Sequence, residues 1–307
     1  MSEASYDYIV CGAGSAGCTV AERLSRDPSV SVCVLEAGGS DDSPIIRTPM
    51  LLQYAVTGEA FNWGYWTEEQ KHLHDRKLLW PRGKTLGGSS SINAMHYMRG
   101  AHENFDEWES AYGAQGWNWE SALPAFKEVE HQTRGASELH GTDGPLWVQD
   151  IAPLNPLTEA FFKAGDELQY KRNPDFNGPT QEGFGPYQVT QKGHKRCSAA
   201  DAFLRPALER ENCSVTTKAM VRRVIIEAGR ATGVEVDIDG VSTILTARKE
   251  IILSGGAINS PQTLLLSGVG PADELRAMGI TVESDVPGVG KNLQDHLDIT
   301  AQLWTKS

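Results

Sequence analysis

Tyr8-Ile9-Val10-Cys11-Gly12-Ala13-Gly14-Ser15-Ala16-Gly17 opens residues 8–36, the stretch that decides how the rest of the chain is read. An apolar run enters G-x-G-x-x-G, a helical pattern follows, and a second largely apolar run, Val30 to Leu35, ends in Glu36. Ala16, Val20 and Leu24 recur at i, i+4 and i+8, so a helix over 15–26 turns one face to a sheet. It stops near Pro28, which restricts the residue ahead of it. In such a unit the first glycine allows a tight turn, the second lets backbone approach a pyrophosphate, and the third lets helix pack close to strand. Phosphates then meet unpaired N–H groups at the positive end of the helix. Glu36 stands where a carboxylate accepts from a ribose hydroxyl and disfavours a 2′-phosphate. Glycine-rich turns also occur as plain loops, but here strand, turn, helix, strand and acid fall in order. The motif by itself does not separate FAD from NAD.

The 307 residues allow one large domain or two smaller ones, enough to bury a sizeable core. A hydrophobic content of 40% and a charged content of 22% are those of an ordinary globular protein. The net charge of −12 argues against a nucleic-acid partner and against attachment to anionic membrane by charge alone. Five cysteines, an odd number without C-x-x-C, include Cys11 and Cys33 inside predicted buried strands. They are read as reduced structural thiols, which fits a cytoplasmic protein. The N-terminus lacks a signal pattern, and no run approaches the length of a bilayer span; peripheral membrane contact stays open. His72 and His74 lack a third ligand nearby, so no metal is expected.

A second glycine-rich stretch, residues 82–93, reads Arg82-Gly83-Lys84-Thr85-Leu86-Gly87-Gly88-Ser89-Ser90-Ser91-Ile92-Asn93. Such a segment lays N–H groups and hydroxyls along a long ligand, and its Leu86 and Ile92 argue for burial rather than a linker. The aromatic residues of 61–66 are expected to pack a loop onto the core. Further helices are expected around 50–56, 105–108, 122–129 (with Ser121 as cap), 155–168 and 198–209. The helix over 155–168 collects Leu157, Ala160, Phe161, Ala164 and Leu168 on one side. Residues 214–217, 221–227, 232–238 and 242–247 form a run of short strands, an antiparallel β-meander. A buried-type strand at 249–253 leads to a helix starting at Ser260-Pro261, with the proline at a first helical position. A domain crossing is placed at 151–195, leaving 1–150 and 196–307 as one discontinuous α/β domain with a parallel central sheet. The last residues, 299–307, read as a strand.

Three glycine-rich segments in this order make the chain resemble the glucose–methanol–choline (GMC) family of FAD-dependent oxidoreductases, in particular its choline and alcohol dehydrogenase members. The first signature is similar to Gly83-Lys84-x-Leu86-Gly87-Gly88-Ser89-Ser90-x-Ile92-Asn93, continuing to Tyr97 and Gly100. The second is similar to Gly256-Ala257-x-x-Ser260-Pro261, continuing to Ser267-Gly268-Val269-Gly270, with Thr263 where an aliphatic residue is usual. His140-Gly141 with Gly144-Pro145-Leu146, Phe176-Asn177-Gly178, Arg196-Cys197-Ser198 and Asn292-Leu293-Gln294-Asp295-His296 also resemble family pieces.

The resemblance implies FAD in a Rossmann-like domain with an inserted β-meander, joined to part of a second, substrate domain. Gly12, Gly14, Ser15, Ala16 and Gly17 would hold the pyrophosphate, and Glu36 with Ala37 the adenosine ribose. Arg82, Gly83, Gly87, Gly88, Ser91, Asn93, Ala94, Met95 and His96 belong to the signature run beside the ribityl chain and ring. Val221 would meet the adenine; Gly256 belongs to the second signature, and Asp295 and His296 would lie near the flavin end. Some relatives attach flavin through a histidine that aligns with Ile92; isoleucine cannot form that bond, so non-covalent FAD is expected. The implied reaction is hydride transfer from a small primary alcohol to flavin, followed by transfer to an electron acceptor. The family's catalytic histidine lies in a C-terminal half, so this chain is read as an N-terminal portion with its base elsewhere. A binding module without turnover, a lyase of the same family and an NAD-dependent dehydrogenase are the competing readings, the last leaving residues 83–93 without a task.

Overall fold

The computed structural model describes residues 4–296 and 298–300. Six strands, β1 (Ser5–Cys11), β2 (Val32–Leu35), β3 (Cys213–Thr216), β4 (Ala219–Glu227), β5 (Arg230–Ile238) and β6 (Val241–Leu253), make one sheet in the spatial order β3-β2-β1-β6-β5-β4. β3, β2, β1 and β6 run parallel to one another, whereas β6, β5 and β4 pair antiparallel. Cys11 is in register with both Leu35 and Leu253, and Leu35 with Thr216. The parallel strands therefore stop level at their carboxyl ends, where an open α/β sheet places its ligand crevice.

Alternation along β1 and β2 divides the core in two. Val10, Val32 and Val34 face helix α1 (Ser15–Leu24) and the helical residues around Phe203 and Leu204. Ile9, Cys11, Cys33 and Leu35 face the opposite way, with Val224, Val234 and Val236 of the antiparallel strands. The expected α/β class with a parallel centre is observed, but two strand assignments change. Residues 214–217 do not head the meander; they pair in parallel with β2, because Cys213 and Val215 join the apolar layer over α1. The runs at 242–247 and 249–253 are one strand: the ladder with β1 shifts register by one residue at 248–249 but the strand continues through it, and the Arg248 Nη2 lies 3.0 Å from Asp7.

Helices α2 (His102–Ser110) and α3 (Trp119–Val129) lie where expected, although the cap of α3 is Asn118, whose Oδ1 accepts from the Ser121 N–H at 2.9 Å. The helix expected around 50–56 is Leu52–Thr57. The segment at 198–209 is a π-helical turn, Ala200–Leu204, running into Arg205–Leu208. In α4 (Pro156–Glu167) the apolar stripe is not the buried side: Leu157 and Phe161 are 63% and 60% exposed, and Phe162 is the buried residue. The strands Glu130–Gln132, Leu146–Asp150 and Gln188–Val189 form a small sheet that crosses residue 150. Residues 299–300 have no strand, and 301–307 lie outside the described residues. All five cysteines are buried and free. Among the described residues no helix is long and apolar enough to cross a membrane.

Beside the small sheet sits a buried ionic cluster. Arg99 and Glu130, with side chains 1% and 0% exposed, pair at 2.7 Å. The His140 ring bridges Glu130 at 3.0 Å through Nδ1 and Asp175 at 2.9 Å through Nε2. Asn177 accepts from the Arg99 N–H and donates to the Tyr97 carbonyl, so family-like pieces far apart in sequence meet in one network. The hydrogen bonds to Asp175 and then Glu130 raise the His140 pKa from 6.5 to about 9. Breaking a buried ion pair strands its partner, so Glu130→Ala is expected to cost about 3–5 kcal/mol in urea unfolding. A raised histidine pKa stabilises fully below the unfolded value and is lost above the folded one. The contribution of His140 should therefore decline from about pH 6.5 through 9, a slope that His140→Gln should remove. Asp175, held low mainly by its bond to His140, acts in the opposite sense and loses its contribution at acid pH.

Candidate functional site

A groove of about 450 Å³ opens over the level strand ends, with Cys11, Leu35 and Leu253 in its floor. Two helices begin there. Gly14 is the N-cap residue of α1 and Gly255 that of α5 (Gly256–Leu266); neither start has a side-chain cap or an acid in its first turn. Uncapped first turns leave N–H groups for an anion, and with no acid of its own in the first turn neither helix neutralises the positive end of its dipole from within. The sequence reading began α5 four residues late. Pro261 is not its first residue but lies inside it, leaving the Ala257 carbonyl without its i+4 donor. Residues 256–259 are therefore wall rather than loop. The pair Gly255-Gly256 after a buried strand was the signal, since it echoes the turn after β1.

The glycines of the first turn divide by task. Gly12 has φ +109°, and a Cβ there would lie 2.6 Å from the Ser254 carbonyl. A Cβ on Gly17 would collide with the Gly12 carbonyl, so this glycine packs helix on turn and does not line the groove. Gly14 is open: a Cβ there would meet only Ser254 O, at 3.9 Å. Gly88, at φ +54°, presses on Gly14 from above, with 2.7 Å between its Cβ position and the Gly14 Cα. Arg82, Gly83 and Gly88 thus form the groove's opposite bank, facing Ser15 and Ala16.

At the other end lie Glu36, Ala37 and Val221. Glu36 accepts from the Ala13 N–H and the Gly38 N–H, each at 2.9 Å, one carboxylate oxygen to each. It fixes the turn directly, and each oxygen keeps a lone pair for a ligand hydroxyl. Burial raises its pKa against the pull of these N–H groups. Trp63, read from sequence as loop packing, lines the groove instead. It stacks on Tyr65, lies under the Lys84 ammonium at 4.6 Å, and is backed by the Tyr65 hydroxyl donating to Asn259 at 2.8 Å. Only the pairing with Lys84 and Asn259, remote in sequence, turns this cluster toward the groove.

Other expected residues lie outside the groove. Gly87 donates its N–H to the Ala13 carbonyl, and Ser91 is buried, donating to the Leu86 carbonyl. Asn93 borders a second, mostly apolar cavity of about 610 Å³ whose wall it shares with Phe105, Trp117 and Phe126. Ser15 belongs to both cavities, so they adjoin at the start of α1. Ala94 is exposed. Met95 is buried at φ +63°, a costly conformation for a long side chain. His96 stacks on Tyr187. Asp295 and His296 sit in exposed coil and line neither cavity. Sequence reasoning passed over Arg196 as a site residue: it is 4% exposed, and burial lowers its pKa to about 10.

Residues 6–298 match the family model described as GMC oxidoreductase. The chain belongs to the GMC oxidoreductase family. It is 50% identical over 305 residues to an alcohol dehydrogenase [acceptor] of Pseudomonas putida, covering 98% of this chain and 55% of that protein. It is 47% identical to an oxygen-dependent choline dehydrogenase of Rhizobium etli, covering 96% of this chain and 54% of that one. Among solved structures it superposes on an FAD-dependent oxidoreductase from Chaetomium thermophilum with TM-score 0.87 and 31% identity, covering 94% of this chain and 52% of the other. The chain spans about half the length of the curated relatives it matches.

The groove fits a dinucleotide: an open glycine face between two uncapped helix starts, with a buried carboxylate beyond. Gly17→Ala tests the turn alone. With rigid backbone on both sides, destabilisation should reach or exceed the upper end of the about 1–3 kcal/mol usual for overpacking, read from the midpoint of urea unfolding.

Proposed function

We propose that this chain is the FAD-holding portion of an oxidoreductase acting on the CH–OH group of a primary alcohol, choline or a related small alcohol, and yielding the aldehyde. The observation that carries the reading is the open face at Gly14, roofed by Gly88 and flanked by two uncapped helix starts. Gly14, Ser15 and Ala16 receive the pyrophosphate on backbone N–H groups, with Gly12 and Gly17 as their scaffold. Glu36 and Ala37 hold the adenosine ribose, and Val221 lies along the adenine. Arg82, Gly83, Gly87, Gly88, Ser91 and Gly256 shape the passage for the middle of the cofactor. Asn93, Ala94, Met95 and His96 border the ring, with Asp295 and His296 toward the same end. Ser15 at the junction of the two cavities supports that path. Bound flavin supplies the hydride acceptor, and the protein orients and polarises. An electron acceptor (oxygen, a quinone or another carrier) then takes the electrons. Ile92 is buried and offers no nucleophile, which supports non-covalent attachment.

Residues 1–150 with 196–307 form the FAD domain in this reading, and 151–195 begin the substrate domain. The central sheet draws its strands from both parts of the former. Five free, buried thiols support a cytoplasmic location.

The purified protein should be yellow, and acid precipitation should release all of its flavin into the supernatant; flavin left in the pellet would contradict the attachment. The complete enzyme should bleach anaerobically on adding a primary alcohol. Colourless protein that FAD does not reconstitute would overturn the proposal.

A further inference from the structure

Arg196 is almost fully buried, and no carboxylate pairs with it among the described residues. Its Nε donates to the Ile46 carbonyl at 3.0 Å, and its Nη1 to the carbonyls of Ser90 and Asn93 and to the Asn93 Oδ1. Its Nη2 is buried and has no hydrogen-bond partner among the described residues. Asp201, the acid that acts on it through space, is taken by Arg205 at 2.6 Å and lies 3.8 Å from Arg47. Guanidinium is planar and permanently charged, so it imposes a fixed orientation on whatever oxygen it holds.

That oxygen belongs to Asn93. Its Oδ1 accepts from Arg196 at 2.8 Å and from the Met95 N–H at 3.1 Å. Two donors on one atom settle which end of the amide is oxygen. The amide nitrogen makes no hydrogen bond among the described residues and remains as a donor on a residue that borders the second cavity.

We propose that Arg196 is a positioning residue for the flavin ring: it fixes the Asn93 amide with its N–H₂ presented to the ring, and it stands behind that amide as a positive charge with no carboxylate paired to it. The inference rests on the FAD reading above. Its consequence is electrostatic: negative charge added to the ring is favoured by a buried cation that no carboxylate pairs with directly.

Sodium sulfite is the probe, because its addition to oxidised flavin leaves the ring anionic and is read from the visible spectrum without turnover. In FAD-loaded protein, Arg196→Met should weaken sulfite binding about tenfold or more. Arg196→Lys, which keeps the charge but loses the fork, should weaken it less. Asn93→Ala, which keeps the cation and loses the donor, should also weaken it, and these last two variants decide the matter if Arg196→Met does not fold. FAD-loaded Arg196→Lys and Asn93→Ala that both bind sulfite as the parent does would overturn the role, as would a parent that binds FAD but no sulfite. A parent that takes up no FAD at all overturns the underlying functional reading instead.

Discussion

Gly17 rests against the carbonyl of Gly12, and the site follows from that contact. It brings the first turn of α1 onto the end of β1, so that the helix start and the strand end share one opening. The register of Cys11 with Leu35 and Leu253 brings the neighbouring strands to the same level. Glu36 then leans back from β2 to hold the Ala13 N–H, closing the turn with a buried carboxylate. A side chain at residue 17 would push helix from strand and uncouple all of these. The third glycine of the motif is thus a packing residue, and the second, open at Gly14, is the one that leaves room for a ligand.

Local pattern made the first half of this legible. The periodicity of residues 15–26 and the apolar runs at 8–11 and 30–35 are short-range signals, and within them the structure has its first helix and most of its first two strands, the second starting two residues later, at Val32. What the sequence did not disclose depends on pairing at long range. Nothing local distinguishes residues 213–216 from the meander strands that follow, because a parallel partner at residues 32–35 leaves no mark on its mate. Pro261 carried a rule that holds at helix starts, but here the helix had already begun at Gly256, and one lost hydrogen bond did not prevent it. Trp63 faces the groove beneath Lys84 and stacked on Tyr65, which Asn259 holds from the far end of the chain.

The remoter site residues obey the same division. Asn93, Met95 and Arg196 were each readable as members of a signature, but their mutual arrangement was not. Asn93 and Arg196 lie 103 residues apart and meet at 2.8 Å. Likewise His140 and Asp175 carry no sign of each other in sequence, yet they clamp Glu130 and Arg99 from one side.

Both buried cations act on one stretch of backbone. Arg196 grips Asn93 at one end of residues 93–99, and the Arg99–Glu130 pair holds the other end beneath the small sheet. Between them Met95 sits at positive φ while its carbonyl accepts from the Thr190 N–H and Tyr97 donates to the Gln188 carbonyl. A long side chain in that conformation costs on the order of 1–3 kcal/mol and persists only where its surroundings over-determine it. Here they do, from both ends and from the paired edge. Strain in a segment pinned in this way cannot relax by sliding along the chain, so the position of Asn93 is set by groups outside its own glycine-rich motif. That explains how a stretch of small, flexible residues presents a rigid edge: the glycines permit the path, and the buried charges fix it.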